Sequence, residues 1–316
     1  MSQKIAFLSQ ISKREIAGSI LLVAICVLPF FTFASTKNIY VDASASGTEN
    51  GSSEHPYKSI KEALKNAKSN TEVHIAKGTY QENIEVPSGV KIFGSDKEDV
   101  IIKGKNDDDP VIKLKHKTEI NKITVKDGGV GVKVDDGDKT SIVECIIKEN
   151  KKEGIKIEAA PVNDKYKVSI SESIIKENGK NGIFSEKRRL VIIDSEISSN
   201  YGDGIGIMPG SKAWIAGNKI KDNNGSGMRI NIDGSEIWTK SNTYRDNDRE
   251  GIEVDSYGGT GRIDINKSKF WNNGKWAIAK IQKNGSANSW NGFSVQTNNE
   301  FVENKTGNIS PIIRVN

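Results

Sequence analysis

The sequence predicts an all-β protein built as a parallel β-helix, a solenoid of short strands with a capping α-helix at its N-terminal end. Three observations carry this. An Asn recurs at Asn150, Asn178, Asn200, Asn223, Asn247 and Asn273, at intervals of 28, 22, 23, 24 and 26 residues. Four residues after each stands Gly154, Gly182, Gly204, Gly227, Gly251 and finally Ala277, each followed by an apolar residue. Three residues before each Asn sits Ile147, Ile175, Ile197, Ile220, Tyr244 or Phe270. A repeat of roughly 20 to 50 residues with strand-like composition is the signature of stacked supersecondary units.

The chain divides into a leader over residues 1–35, a segment with a capping helix over 36–70, and the β-helix with its C-terminal cap over 71–316. In the leader, Lys4, Lys13 and Arg14 precede an uncharged stretch from Ile16 to Ala34. The pattern reads either as a signal peptide, with Thr32-Phe33-Ala34 as a small-x-small cleavage site, or as a retained membrane anchor over residues 16–34. Both readings leave the basic residues inside and export the body, whereas the plainer alternative is a buried helix of a cytosolic protein. The expected location is therefore extracellular, cell-surface or periplasmic. Cys26 follows Ile25, which is too large for a lipoprotein processing site.

Pro56 to Ser69 places Tyr57, Ile60, Ala63, Leu64 and Ala67 on one helical face, with Pro56 in the first turn. Such a helix suits a lid over the first coil, whose strand edge would otherwise be open. Strand-like text begins at Glu72-Val73-His74-Ile75.

One coil is legible in VSISESIIKENGKNGIFS, residues 168–185. Short alternating runs of Val and Ile are separated by small polar residues, which argues for strands too short to be helices. Leu is nearly absent from the repeated positions, which argues against leucine-rich repeats. Asn and Gly supply left-handed corners, and stacked Asn side chains form an amide ladder along the axis. A second corner column, Cys145, Ser173, Ser195, Asn218, Asn242 and Ser268, is small or polar, so Cys145 is expected to pack rather than react. At about 4.8 Å per coil, roughly ten coils would make a rod about 50 Å long. No coil buries its apolar face alone, so the stack is one cooperative unit. Trp290, Phe293, Phe301 and Ile312 are expected to cover the far end.

Between residues 39 and 104, IYVDASASGTENGSSEHPYKSIKEALKNA, then VHIAKGTYQENIEV, then VKIFGS, resembles the opening of pectin lyase-like right-handed β-helix proteins. The later Asn-x-x-x-Gly-Ile repeats are similar to generic right-handed β-helix repeats of secreted or surface proteins. Together the resemblance covers nearly all of residues 39 to about 281 and implies the right-handed sense. It implies no particular chemistry, because one fold hosts many activities and many non-enzymes.

The catalytic sets of the enzymes with this fold are not reproduced. The three His residues, His55, His74 and His116, all precede the regular repeats, unlike the His of polygalacturonases and polyuronate epimerases. No Gln occurs between Gln81 and Gln282, whereas pectin methylesterases need Gln beside paired Asp and an Arg. Neither the Arg motif nor the calcium-binding Asp cluster of pectate lyases is present. No phosphate loop, nucleophile motif or zinc spacing occurs, and no cofactor is called for.

Alternation along the third strand of each coil places two columns outward. One reads Lys156, Phe184, Gly206, Arg229, Glu253, Ala279; the next reads Glu158, Glu186, Met208, Asn231, Asp255, Ile281. Arg229, Asn231, Glu253 and Asp255 thus form a patch on adjacent coils. It suits a ligand-binding site for a sugar chain, the Arg gripping a carboxylate, with Glu253 and Asp255 as weak catalytic candidates about 7 Å apart. The plainer reading is a cross-strand ion pair between Arg229 and Glu253 on a solvated sheet. Asp107-Asp108-Asp109 and Asp135-Asp136-Gly137-Asp138 offer clustered oxygens that could bind calcium, but they match no calcium-loop spacing and read more simply as solvated turns. Tyr244 and Phe270 fall on the inward column; Trp238, Trp271 and Trp276 are assigned to neither core nor surface.

Formal net charge is +5, and +3 without the leader, with Lys and Glu interspersed. That gives no case for nucleic acid. Two functions follow. One is an exported or anchored non-catalytic β-helix that binds polysaccharide or a cell-surface glycan. The other is a polysaccharide lyase, glycoside hydrolase or epimerase with an unfamiliar site. Repeat intervals that stay between 22 and 28 leave little chain for cleft walls, which favours the first.

Overall fold

The computed structural model describes residues 36–283 and 290–315. The leader, with its signal-or-anchor reading and Cys26, lies outside the described residues. No helix among the described residues is long and apolar enough to cross a membrane.

Each coil gives one strand to each of three parallel sheets. The first sheet has eleven strands, beginning with Lys37–Val41, Thr71–Ile75 and Val90–Gly94 and ending at Phe293–Val295. The second runs through ten strands, from Gly78–Gln81 to Glu300–Val302; the third also has ten, from Ile84–Val86 to Gly307–Val315. The coil read above contributes Val168–Ser171, Ile174–Lys176 and Ile183–Ser185 in turn. Ile and Val columns from all three sheets fill one continuous core, which Tyr244 enters stacked on Phe270 at 5.0 Å and, through it, on Phe301 at 5.3 Å.

The corners form as expected, with the conformational roles reassigned. The left-handed residue is not the Asn but the one before it: Glu149, Glu177, Ser199, Asp222, Asp246 and Asn272 have φ between 50° and 58°. Freed of that duty, the Asn side chain makes the ladder. Nδ2 of Asn150, Asn178, Asn200, Asn223, Asn247 and Asn273 each donates to Oδ1 of the Asn one coil on, at 2.8–3.0 Å, and the ladder runs on to Asn304. The other corner repeats the rule, with Glu144, Glu172, Asp194, Gly217, Ser241 and Lys267 left-handed before the small-residue column. There Cys145 is buried and its Sγ donates to Ile120 O and Val143 O; burial pushes its thiol up to about 12.

The turn glycines are not needed for a left-handed φ. A Cβ at Gly204 would stand 2.6 Å from Gly227 O and 2.7 Å from Ile220 Cγ2, so the corner simply has no room for one. Where Ala277 replaces Gly, the next strand pair shifts register between Ile278 and Lys280.

The helix is shorter than the apolar pattern suggests: Ile60–Asn66, with Ser59 as N-cap accepting from Glu62 N at 3.1 Å. Pro56 and Tyr57 lie outside it, because Tyr57 is held extended by a bridge to Val41. Ala67 is the extended C-cap. Glu82 from the first coil accepts from Ile60 N and Lys61 N at 2.9 and 2.8 Å, satisfying first-turn donors that the helix cannot. Ile60, Ala63 and Leu64 join the core. The strand Lys37–Val41, ahead of the helix, starts the first sheet by pairing with Thr71–Ile75. At the other end the expected cap is instead a further coil: Phe293, Phe301 and Ile312 lie in strands that continue the three sheets.

Candidate functional site

The third sheet brings the candidate residues together. Arg229 pairs with Glu253 and Asn231 with Asp255 between the strands Met228–Asn231 and Ile252–Ser256. Ile252 and Val254 enter the core, so Glu253 and Asp255 face outward, as alternation requires. They are nevertheless not solvated: Glu253 is 1% and Asp255 3% exposed. That corrects both the picture of an open patch and the picture of a solvated ion pair.

Basic and hydroxyl side chains account for the covering. Arg229 Nε and Nη2 both donate to Asp255 Oδ2, at 2.9 and 2.8 Å, and Nε lies 3.4 Å from Glu253 Oε1. Arg249 Nη2 meets Glu253 Oε2 at 2.9 Å. Ser226 Oγ is 2.9 Å from Glu253 Oε2 and 3.1 Å from Glu250 Oε2. Lys275 approaches Glu250 at 3.8 Å, and Lys283 approaches Asp255 at 3.6 Å. Arg229 and Arg249 keep 38% and 37% of their side chains exposed, so the cluster shows guanidinium edges to solvent and keeps its carboxylates beneath.

A third contributor is a column that outward alternation does not select, the residue just before each turn Gly: Glu153, Asn181, Asp203, Ser226, Glu250. The constant spacing to Gly was a signal that could have found it. Asp203 Oδ1 accepts from Ser226 N at 2.8 Å, and Asp203 N donates to Asn181 Oδ1 at 3.0 Å. Asn231, by contrast, turns away from the cluster. Its Oδ1 accepts from Asp233 N at 3.0 Å and shapes the following turn.

The cluster combines Asp203, Glu250, Glu253 and Asp255 with Arg229, Arg249, Lys275 and Lys283, so charge balances locally. Buried carboxylates require such pairing. Balance is incomplete at the level of single atoms: Glu253 Oε1 and Asp255 Oδ1 are buried without a hydrogen bond among the described residues. Burial raises the carboxyl of Asp255 above its usual range, helped by Glu253 and opposed by Arg229 and Lys283. Burial likewise raises Asp203. For Arg229, burial works against the charge, but Glu253 and Asp255 outweigh it and hold the guanidinium above its ordinary value. Chemically, the arrangement can present guanidinium donors to an oxyanion or to sugar hydroxyls. The half-buried Asp203 can hold a proton to higher pH than an ordinary carboxyl.

The acidic loops are tied down locally. Asp107 pairs with Lys151, Asp135 with Lys113 at 3.4 Å and Lys115 at 3.2 Å, and Asp138 with His116 at 3.2 Å. No three His, Cys, Asp or Glu side chains among the described residues are grouped to hold a metal ion.

With this geometry in hand, the relatives are informative about fold. A family model described as the right handed beta helix region matches residues 70–184 and 159–306. The chain belongs to that family, and its architecture is a right-handed parallel β-helix. Among solved structures it is similar to the pectate lyase Pel9A, with TM-score 0.52 and 13% identity over 88% of this chain and 78% of that one. It is also similar to the catalytic domain of Agl-KA, with TM-score 0.52 and 14% identity over 80% and 64% of the two chains. At such identity the likeness describes the fold alone. No curated protein sequence matches the chain.

Proposed function

We propose that the protein is an exported β-helix that binds a polysaccharide or cell-surface glycan without cleaving it, using the outward face of the third sheet around Arg229 and Arg249. The observation that carries this reading is the sequestration of Glu253 and Asp255. A carboxylate that attacks or protonates a glycosidic bond must reach it. These two are covered and engaged by Arg229, Arg249 and Ser226. The half-exposed guanidiniums remain free to donate to a ligand. Asp255 and Glu253 then serve to orient the arginines, and Asn231 shapes the edge of the face.

A second reading keeps one specific support. Asp203 is only half-buried, lies on the coil before Arg229, and has a carboxyl raised by burial, as a general acid would. The fold is shared with a pectate lyase, which is compatible with a polysaccharide-processing enzyme.

Mass spectrometry of neutral and acidic polysaccharides after incubation with the protein, alongside equilibrium binding to the same polymers, separates the readings. Binding without products, weakened about tenfold by Arg229→Ala, is expected. Products that disappear in Asp203→Asn or Asp255→Asn would instead establish the enzyme. Export rests on the charge pattern of residues 1–35. N-terminal sequencing of the mature protein distinguishes a start at Ser35 from a retained anchor, and a cytosolic full-length chain would overturn export.

A further inference from the structure

At the N-terminal end of the stack, the outward face of the first sheet carries a groove of about 340 Å³. That is at the small end of the range of ligand sites. The groove crosses the strands Lys37–Val41, Thr71–Ile75 and Val90–Gly94 near their C-terminal ends. Alternation and register set two outward columns there. One is aromatic: Tyr40 is level with His74 and His74 with Phe93, and the rings stack at 5.3 and 5.8 Å between centroids. The other, two residues on, is small and begins with a carboxylate: Asp42, Ala76 and Ser95. Ala76 N donates to Val41 O at 2.8 Å and Ser95 N to Ile75 O at 3.0 Å, so this column keeps the register of the strands. The result is a ledge of small side chains beside a ladder of rings. Ser53 and Pro56 form the outer wall. The backbone fixes that wall, because Tyr40 N donates to Gly51 O at 3.0 Å and Asp42 N to Tyr57 O at 2.8 Å. Buried Tyr80 ties the ledge to the turn after it, accepting from Ala43 N at 3.3 Å and donating to Ala76 O at 2.8 Å.

Charge and aromaticity of this lining specify a ligand. Asp42 Oδ1 accepts from Ser44 N at 2.8 Å and from Ser44 Oγ at 2.7 Å. These bonds hold its carboxyl below the ordinary value, so it is ionised at neutral pH. Asp42 makes no ion pair among the described residues, and the groove lining contains no Lys or Arg. Glu72 lies 4.0 Å from His74 Nε2 and adds a second negative charge beside the ladder. Lys91, level with Glu72 on the next coil, is engaged by Glu119 at 3.7 Å. His74 Nε2 donates to Asn38 Oδ1 at 3.2 Å, which fixes the middle ring. Tyr40, His74 and Phe93 are each partly exposed. At their centroid distances parallel rings are offset, so each leaves part of a face uncovered, and such faces attract cations. An anionic ligand, a uronate included, is repelled by Asp42. The groove therefore combines an unanswered carboxylate, three rings and a ledge without bulky side chains.

We propose that this groove binds a small organic cation, an alkylated ammonium whose charge is met by Asp42 and whose alkyl groups rest on the ledge against Tyr40, His74 and Phe93. The site lies on a different sheet from the Arg229 cluster and stands or falls separately from it. Choline and its uncharged carbon isostere, with tert-butyl in place of trimethylammonium, are the probes. Calorimetry and the His ring signals in NMR spectra of the full chain are the readouts. The chain has only three His, so His74→Gln assigns the signal of His74. Choline is expected to shift that signal and to bind more weakly as salt is raised, and the isostere to bind about tenfold more weakly. Asp42→Asn keeps an acceptor for Ser44 and removes the charge. It should weaken choline about tenfold and leave the isostere unchanged. Phe93→Leu should weaken choline about threefold, the loss of one ring. Arg229→Ala should leave choline binding intact, which separates this site from the other. Absence of choline binding, equal binding of the isostere, or affinity unchanged in both Asp42→Asn and Phe93→Leu overturns the proposal. Asp42 stands in a turn at the surface, so its variant keeps the test valid should Phe93→Leu disturb the sheet.

Discussion

Asp203 is the residue on which the third-sheet cluster turns. Burial is the largest influence on its carboxyl and raises it; Glu253 adds to the rise, while the Ser226 N–H, Arg229 and Arg249 oppose it. A raised carboxyl means that the folded chain holds a proton which the unfolded chain has already lost. Between the ordinary carboxylate value, about 3.9, and the raised one, stability therefore falls as pH rises, and this contribution is most favourable below the window. Asp203→Asn retains an oxygen for Ser226 N and removes the charge. Its denaturation midpoint is expected to change less with pH across this window than that of the parent, and to be higher at neutral pH. Parallel curves for the two proteins would contradict the assignment. Asp255 shifts in the same direction for the same leading reason. Outward alternation places Arg229, Glu253 and Asp255 side by side on one face but does not show the burial of the two carboxylates. Burial depends on Arg249 and Ser226, which sit in the preceding turns, and on Lys283 from a later coil.

At the scale of the element, the corner is the unit that specifies the coil. Asn200 makes four ladder contacts: Nδ2 donates to Ile175 O and Asn223 Oδ1, and Oδ1 accepts from Asn178 N and Asn178 Nδ2. Asn200→Ala removes them all and leaves the buried backbone N–H of Asn178 without its acceptor, while Asn178 Nδ2 keeps Ile147 O and Lys176 O. It should cost about 3 kcal/mol, measured by urea denaturation, against well under 1 kcal/mol for an exposed site such as Tyr201→Ala. A loss near zero would mean that the ladder is incidental to the stack. The spacing of Asn and Gly was legible because each coil imposes the same corner. The reason for each residue was not legible. A string of residues does not show that the left-handed turn falls one position before Asn, nor that Gly204 is required by the approach of Gly227 O. The helix start differs from the apolar pattern for a related reason: the spacing extends to Tyr57, but a bridge to Val41 takes that residue before the helix begins.

At the scale of the whole described unit, each strand is paired only with its neighbours along the stack, yet one core runs through every coil. All five Trp residues lie between Trp214 and Trp290, so their fluorescence reports the C-terminal half while circular dichroism reports every coil. The shared core predicts coincident melting midpoints by the two probes. Separated midpoints would show that the halves unfold independently.

The sequence by itself determined the repeat, the three-strand coil, the inward columns including Tyr244 and Phe270, the packing role of Cys145, and the adjacency of Arg229, Glu253 and Asp255. These depend on spacing and on strand alternation, which are local and one-dimensional. Only the tertiary structure decided that the carboxylates are covered, that Asn231 turns away, and that the C-terminal aromatics extend the stack. Each depends on which side chains from different coils meet at a corner. Corner connections vary in length and conformation from coil to coil, so the repeat does not encode their contacts.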